Sequence, residues 1–388
     1  MTSSRPHVLQ VIRSFAADGP NRLLLSLLRQ WSPEDLRVSL VALSGGDASS
    51  TDNPLAEKFE EEIDRLGGQV RMLSAPWLRM GPARAELVKI CRDSEITHIH
   101  AHLVRADILS RKAASLAGLP YIFTEHGIHA WSEGPRGTGP LVRIWYRNNL
   151  SRDVCIVAVS DKVARNLLAE KVPAERIKTI SNGVDVQRYM PATAQQRAES
   201  RTRFGVASDA FPVMALVGGL TANKMPQLAL RTLKELNAAE GLRSVLFVCG
   251  KGPLKEALLE EAKSAGVQKL LKFTGLQKDP LPVFHASDLL IHPSVQESFG
   301  LTVAEALACG LPAVVREGSG ADETAGPRPT GWLATGNDPV PWANVVRKCC
   351  DELRRDADLI QNAARLRAET NFDIANTAKA YLRLYAGA

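Results

Sequence analysis

The chain has 388 residues, a formal net charge of +6, and 45% hydrophobic and 23% charged residues. Such a length predicts two domains, and such a composition a globular protein. No run of about 18 apolar residues occurs, so no membrane-spanning helix is predicted, and the modest, dispersed positive charge favours nucleotides, phosphates or a membrane surface over nucleic acid, for which no motif is present.

The opening MTSSRPHVLQVIRS has no secretory apolar core and runs directly into a strand. The six cysteines (Cys91, Cys155, Cys249, Cys309, Cys349, Cys350) show no metal spacing. Both features predict a cytoplasmic protein with reduced, mostly buried thiols. His7–Ile12 reads as the first strand. The loop 13–20 follows, then a helix to Trp31 capped by Gly19 or Asn21. Strands over 38–43, 70–73, 96–102, 121–125 and 154–160 alternate with helices near 55–66 and 83–91 and one running to Ala117, and Ser160 reads as a further helix cap. This β-α rhythm predicts an α/β fold: a parallel sheet with helices on both faces and right-handed crossovers.

His98, His100 and His102 alternate along one strand and share a face. Three histidines on a face read either as a metal site or as hydrogen-bonded histidines, with His102 closest to the crevice at the strand's carboxyl end. His126 ends the next strand, where it reads as structural or functional. The loop 127–140 is rich in Gly and Pro. The stretch 141–152, LVRIWYRNNLSR, mixes arginines with aromatics. It reads as a basic amphipathic surface for anionic lipid or a lipid-linked acceptor, or as an ordinary surface helix. Asn182-Gly183 signals a tight turn at a domain junction, and 192–203 a linker helix.

The second half begins with an apolar strand over 212–217 and the Gly-rich turn Gly218-Gly219-Leu220, with Lys224 before the next helix. A strand-to-helix turn of this kind admits a phosphate, and Lys224 supplies a point charge. The following strand ends in Gly250-Lys251-Gly252, where Lys251 reads either as facing a diphosphate or as a solvated loop lysine. Leu276 lies in the turn after the strand 271–274. The segment 318–336 reads as a long loop and 342–369 as polar helix, with Asp356-Ala357-Asp358 as solvated surface within it.

Between these lies Ser294 to Pro312, SVQESFGLTVAEALACGLP. An apolar run, Asp288 to Ile291, leads in. Glu297 sits in the loop at that strand's carboxyl end, Phe299-Gly300 precedes a helix, and Glu305 falls in its second turn. Ligands bind outside the carboxyl ends of strands in open α/β sheets, and a helix start offers free N–H groups to phosphate. Two acids there read as acceptors for sugar hydroxyls beside a bound diphosphate, or as an acid favoured by the helix dipole plus a solvent-facing Glu.

The full string resembles the signature of family 4 retaining glycosyltransferases of the GT-B type, and the resemblance covers nearly the whole chain. It implies two Rossmann-like domains facing across a cleft: 1–180 on the acceptor side, 181–370 holding the nucleotide sugar, and 371–388 as a helix returning to the first domain. It implies that Glu297 contacts the donor sugar, Glu305 the ribose, and His126 the sugar near its anomeric carbon. Gly218, Gly219, Lys224, Gly250, Phe299, Gly300 and Leu301 would surround the donor, and Lys251 stands where the family usually has an acid or a small residue. Leu276 would hold the base through its backbone, and Gly19 and His102 would lie on the acceptor side. Where the family's turn reads G-R-L-x-x-x-K-G, Gly219 replaces the Arg and Met225 the last Gly.

The implied reaction moves a sugar from a nucleotide-diphosphate sugar to a glycan or lipid-linked acceptor with retention, by front-face attack and without metal or other cofactor. The setting would be bacterial surface polysaccharide, lipopolysaccharide or glycolipid synthesis, with peripheral contact at the inner face of the membrane. Rival expectations are an epimerase on the same architecture, and a degenerate nucleotide-sugar binder, which Gly219 favours.

Overall fold

The computed structural model describes residues 5–16, 18–44, 54–75, 80–127, 154–238, 243–277 and 279–387. The basic aromatic stretch 141–152 and most of the loop before it lie outside them. The chain divides into two compact units, Met1–Gly183 with Ile374–Ala388, and Val184–Asp373.

In the first unit the order is β1 (His7–Ile12), α1 (Gly19–Gln30), β2 (Arg37–Ala42), α2 (Pro54–Arg65), β3 (Val70–Met72) and α3 (Met80–Asp93). There follow β4 (His98–His102), α4 (Val104–Ala117), β5 (Tyr121–Glu125), β6 (Cys155–Ala158), α5 (Asp161–Ala169) and β7 (Ile177–Thr179). All pairings are parallel, in the order β3-β2-β1-β4-β5-β6-β7. β1 is buried along its whole length, as a central parallel strand covered on both faces must be. The cap of α1 is Asp18, whose carboxylate accepts from Asn21 N–H at 3.1 Å. Neither Gly19 nor Asn21 takes that position. The Asn21 amide instead donates to the carbonyls of Ser14 and Ala16 and ties down the loop after β1. Ser160 caps α5 as the sequence predicts, accepting from Val163 N–H.

The second unit runs α6 (Ala194–Arg203), β8 (Val213–Val217), α7 (Pro226–Ala238), β9 (Val245–Cys249), α8 (Lys255–Ser264), β10 (Leu271–Gly275) and α9 (Leu281–Ala286). It continues through β11 (Leu289–His292), α10 (Leu301–Ala308), β12 (Ala313–Arg316), α11 (Ala321–Ala325), β13 (Gly331–Ala334), α12 (Pro339–Arg355) and α13 (Ala357–Phe372). Its parallel sheet has the order β10-β9-β8-β11-β12-β13.

Three sequence expectations change here. The expected loop 318–336 contains α11 and the edge strand β13, because a four-residue strand carries too little pattern to read. The expected single helix 342–369 is two helices. Asp356 breaks them with an extended backbone (φ −156°) and caps the second by accepting from Leu359 N–H. The expected linker helix, α6, is docked: Arg197 and Arg201 hold the Asp288 carboxylate, which also accepts Val213 N–H at 2.6 Å.

The last helix, α14 (Ile374–Gly387), belongs to the first unit. Tyr381 and Tyr385 join the core with Val8, Leu24 and Trp31, and Trp31 Nε1 donates to the Ala378 carbonyl at 3.2 Å. The tyrosines cover the histidine face of β4. The Tyr385 hydroxyl meets His100 Nδ1 at 2.8 Å, and His100 Nε2 meets Thr124 Oγ1 at 2.7 Å. Both nitrogens of His100 are thus hydrogen-bonded, which favours the hydrogen-bonded reading of that ring. Among the described residues no group of three His, Cys, Asp or Glu is arranged for a metal ion, and no described helix is long and apolar enough to cross a membrane.

Burial pushes the His100 and His126 rings down to about 3, and His102 well below its ordinary value. From about pH 6.5 down to about 3, the unfolded chain therefore binds protons at these rings that the folded unit refuses. Stability is fully present above pH 6.5 and is lost on acidification, by up to about 1.4 kcal/mol per pH unit for each fully buried ring. Denaturant titrations from pH 7 to pH 4 should show this slope, and His100→Gln should reduce it. An unchanged slope in that variant would contradict the assignment.

Candidate active site

In the second sheet the strand order reverses between β8 and β11. Crossovers leave these neighbours in opposite directions, so a crevice opens outside their carboxyl ends. Both sequence-predicted loops lie there. Asn223 ties them together: its carbonyl accepts Val295 N–H at 2.8 Å, and its amide donates to the Gln296 carbonyl at 2.9 Å and to Ser294 Oγ.

Glu297 is held at the centre. Its N–H donates to the Ser319 carbonyl at 2.7 Å. Its Oε1 receives the Lys224 ammonium and, at 3.1 Å, Nε2 of His292, the last residue of β11. No described residue bonds to Oε2. Burial opposes ionisation of Glu297, but the His292 hydrogen bond and the Lys224 charge outweigh it and hold the carboxyl far below the usual range. Burial lowers the His292 ring as well, so a neutral imidazole donates and Lys224 carries the balancing charge. The result is a shielded carboxylate with one oxygen open.

Gly300 precedes α10 with φ 88°, a left-handed conformation that favours glycine. An added Cβ would meet the Ala321 Cβ at 3.1 Å. Leu301 begins the helix, whose first amides have no intrahelical acceptor. Phe299 is 3% exposed and its ring packs edge-on against Phe372 at 5.2 Å. It therefore braces the turn, and only its backbone is available to a ligand. Glu305, in the second turn, is hydrogen-bonded to Tyr189 and lies in the field of Arg188. Arg188 in turn pairs with Asp279 at 3.2 Å.

The glycine turns have a structural cause of their own. Gly218 N–H donates to the Cys249 carbonyl and Leu220 N–H to the Lys251 carbonyl, both at 2.9 Å. The two turns nest so closely that a Cβ on Gly250 would lie 1.8 Å from the Gly218 oxygen. Gly219 differs: a Cβ there meets nothing nearer than 3.8 Å. Its backbone does not demand glycine. The Lys251 side chain is exposed, and Leu276, after β10, is 55% exposed.

In the first unit the sheet reverses between β1 and β4. Gly19 opens α1 after β1. His126 follows β5, with its Nε2 2.9 Å from His102 Nδ1. The other nitrogen of His102 meets Gln10 Oε1 at 2.8 Å. His102 is thus saturated and stands behind His126, so its side chain has no nitrogen left for an acceptor.

Sequence reasoning missed His292, Asn223, Ser319, Tyr189 and Gln10. His292 ends an apolar strand and carried a detectable signal, being five residues before Glu297 in the same strand-to-loop unit. The others meet their partners only through the fold.

The family described as Glycosyltransferase Family 4 matches residues 17–188, and Glycosyl transferases group 1 matches 199–366. The 2-deoxystreptamine glucosyltransferase of Streptomyces kanamyceticus is 30% identical over 74% of this chain and 76% of its own. The D-inositol 3-phosphate glycosyltransferase of Salinispora arenicola is 28% identical over 95% and 87%. Among solved structures, Anabaena HepE in complex with UDP superposes with a TM-score of 0.83 at 21% identity, over 98% of this chain and 100% of that one. WaaG, a glycosyltransferase involved in lipopolysaccharide biosynthesis, does so at 0.71 and 16%, over 98% and 100%. The chain belongs to the group 1 glycosyltransferases and has the GT-B fold.

Gly250→Ala should destabilise the second unit by about 2 kcal/mol or more, because backbone oxygen cannot yield. Gly219→Ala should stay within about 0.5 kcal/mol of the parent. Urea unfolding distinguishes them, and equal midpoints would contradict the nesting.

Proposed function

We propose that this glycosyltransferase moves a sugar from a nucleoside-diphosphate sugar to a glycan or lipid-linked acceptor, with retention at the anomeric carbon. The observation that carries the reading is the ionised Glu297, with Oε1 paired to Lys224 and hydrogen-bonded by His292 and Oε2 open, one turn before the start of α10. A fixed carboxylate accepts sugar hydroxyls, while the helix start and Lys224 supply positive potential for a departing diphosphate. HepE, whose structures include complexes with UDP and with UDP-glucose, supports a donor of this class. Glu305, held by Tyr189, would take the ribose, the turn at Leu276 the base, and His126 the sugar. Gly218, Gly250, Lys251 and Leu301 would line the diphosphate and Gly19 the acceptor.

The bond from the anomeric carbon to the phosphate oxygen breaks, and the acceptor oxygen bonds to that carbon on the same face. The acceptor's proton passes to the leaving phosphate. No metal enters this scheme, so transfer should survive a chelator. A second acceptor reading has its own support. Two relatives are named for D-inositol 3-phosphate and 2-deoxystreptamine, both small hydroxylated rings, so soluble polyols belong in the acceptor panel.

Thermal unfolding with UDP, GDP, ADP, CMP and their sugars tests the donor. A ligand at about 100 times its dissociation constant stabilises by about 2.7 kcal/mol, and Glu305→Ala should abolish the selective rise. Absence of any rise would overturn the donor reading. Glu297→Ala and Lys224→Ala should each lower kcat/KM about 100-fold or more. Near-parental rates in both would remove this site from the reaction.

Gly219→Arg should fold normally, since the position has room. It should tighten donor binding about tenfold through charge-assisted bonds to the diphosphate. Unchanged or weaker binding would show that the arginine's place faces elsewhere.

A further inference from the structure

We propose that Gln10 and Tyr385 are positioning residues that hold His126 in its Nε2–H form, so that Nδ1 offers a lone pair to a substrate hydroxyl. The inference rests on the reading of His126 as a contact to the donor sugar. It concerns side chains that this reading otherwise leaves unused.

Seven buried or half-buried polar side chains form one connected chain inside the first unit. Gln10 Nε2 donates to the Tyr385 hydroxyl at 3.1 Å. That hydroxyl, accepting from the amide, directs its own proton to His100 Nδ1 at 2.8 Å. His100 then carries its proton on Nε2 and donates to Thr124 Oγ1 at 2.7 Å, and Thr124 meets the Tyr381 hydroxyl at 3.2 Å. On the other side, Gln10 Oε1 can only accept, so His102 carries its proton on Nε2. Its Nδ1 is then a lone pair, and the 2.9 Å contact to His126 Nε2 requires the proton on His126.

A neutral imidazole has one proton for two nitrogens, and burial keeps these rings neutral at pH 7. The direction of the amide therefore sets the direction of the bonds through Tyr385 to His100 and through His102 to His126. Turning Gln10 over would reverse those bonds and would put the His126 proton on Nδ1, converting an acceptor into a donor. The observed orientation points the amide nitrogen at Tyr385: Gln10 is 0% exposed, the Tyr385 ring is buried beside Trp31 with centroids 6.0 Å apart, and in this arrangement its hydroxyl satisfies both the amide and His100. No described residue bonds to His126 Nδ1. Packing alone needs no such polarity, since apolar residues would fill the same volume.

The test uses the full chain labelled with nitrogen-15 in its histidines. Ring-nitrogen NMR reports the tautomer, His126→Ala assigns the signals, and steady-state kinetics run in parallel. The parent should show one His126 tautomer, protonated at Nε2. Gln10→Leu should lose that preference and lower kcat about tenfold, the size of one misdirected hydrogen bond, with donor KM within about twofold. Tyr385→Phe, a gentler change should Gln10→Leu fail to fold, should shift the tautomer in the same direction.

A His126 proton on Nδ1 in the parent overturns the inference, as does an unchanged tautomer in the folded variants. If His126→Ala collapses the rate while the tautomer-shifted variants keep the parental kcat, the inference alone falls. If His126→Ala itself leaves the rate intact, the sugar-contact reading fails first and takes the inference with it.

Discussion

A carboxylate kept charged inside a protein needs compensation, and much of the second unit is arranged around supplying it to Glu297. Burial works against ionisation. The compensation comes from Lys224, beyond the neighbouring strand β8, and from His292 at the end of β11. Bringing Lys224 to that point requires the two loops to be tied, which Asn223 does through its backbone and amide. It also requires the turn after β8 to sit low against the turn after β9, which the nested glycines permit. Met225, directly after Lys224, adopts a left-handed backbone with φ 47°. It is held there by packing against the core and by contact of its sulfur with Arg316. The local strain of a non-glycine residue is thus borne where Lys224 is aimed at Glu297.

The first unit solves a different problem. Histidines stand at and beside the strand ends near His126, and burial keeps them uncharged. Neutral imidazoles give directional bonds without the desolvation cost of charge. They also need hydrogen-bond partners, and α14 supplies one to His100 through Tyr385, while Tyr381 meets Thr124 on the far side of that ring. A helix far along the chain from β5 thereby completes the polar interior beside His126.

Much of this was legible from residues in order. The β-α alternation follows from apolar runs of strand length separated by amphipathic helices, and both sheets match it. The string from Glu297 to Glu305 combines a strand end, a helix start and two acids at a fixed spacing, and that local geometry survives folding. Short or polar elements were not legible. β13 is too brief to show a period, and the break at Asp356 depends on one capping side chain in an otherwise helical stretch. His102 was placed at the right strand end, but its saturation by Gln10 and His126 cannot be read from β4 alone.

The sequence by itself determined the α/β class, the glycosyltransferase family and the strand ends at which the acids and histidines stand. These depend on periodicity and on contiguous motifs, which need no long-range contact to be read. Only the tertiary structure decided which oxygen of Glu297 is occupied and which is open, which glycines are demanded by nesting and which position is free for a side chain, and which way the histidine bonds point. Those answers depend on partners brought together from distant parts of the chain, Lys224 to Glu297 and Gln10 to Tyr385, and a hydrogen bond's direction is set only when both of its ends are in place.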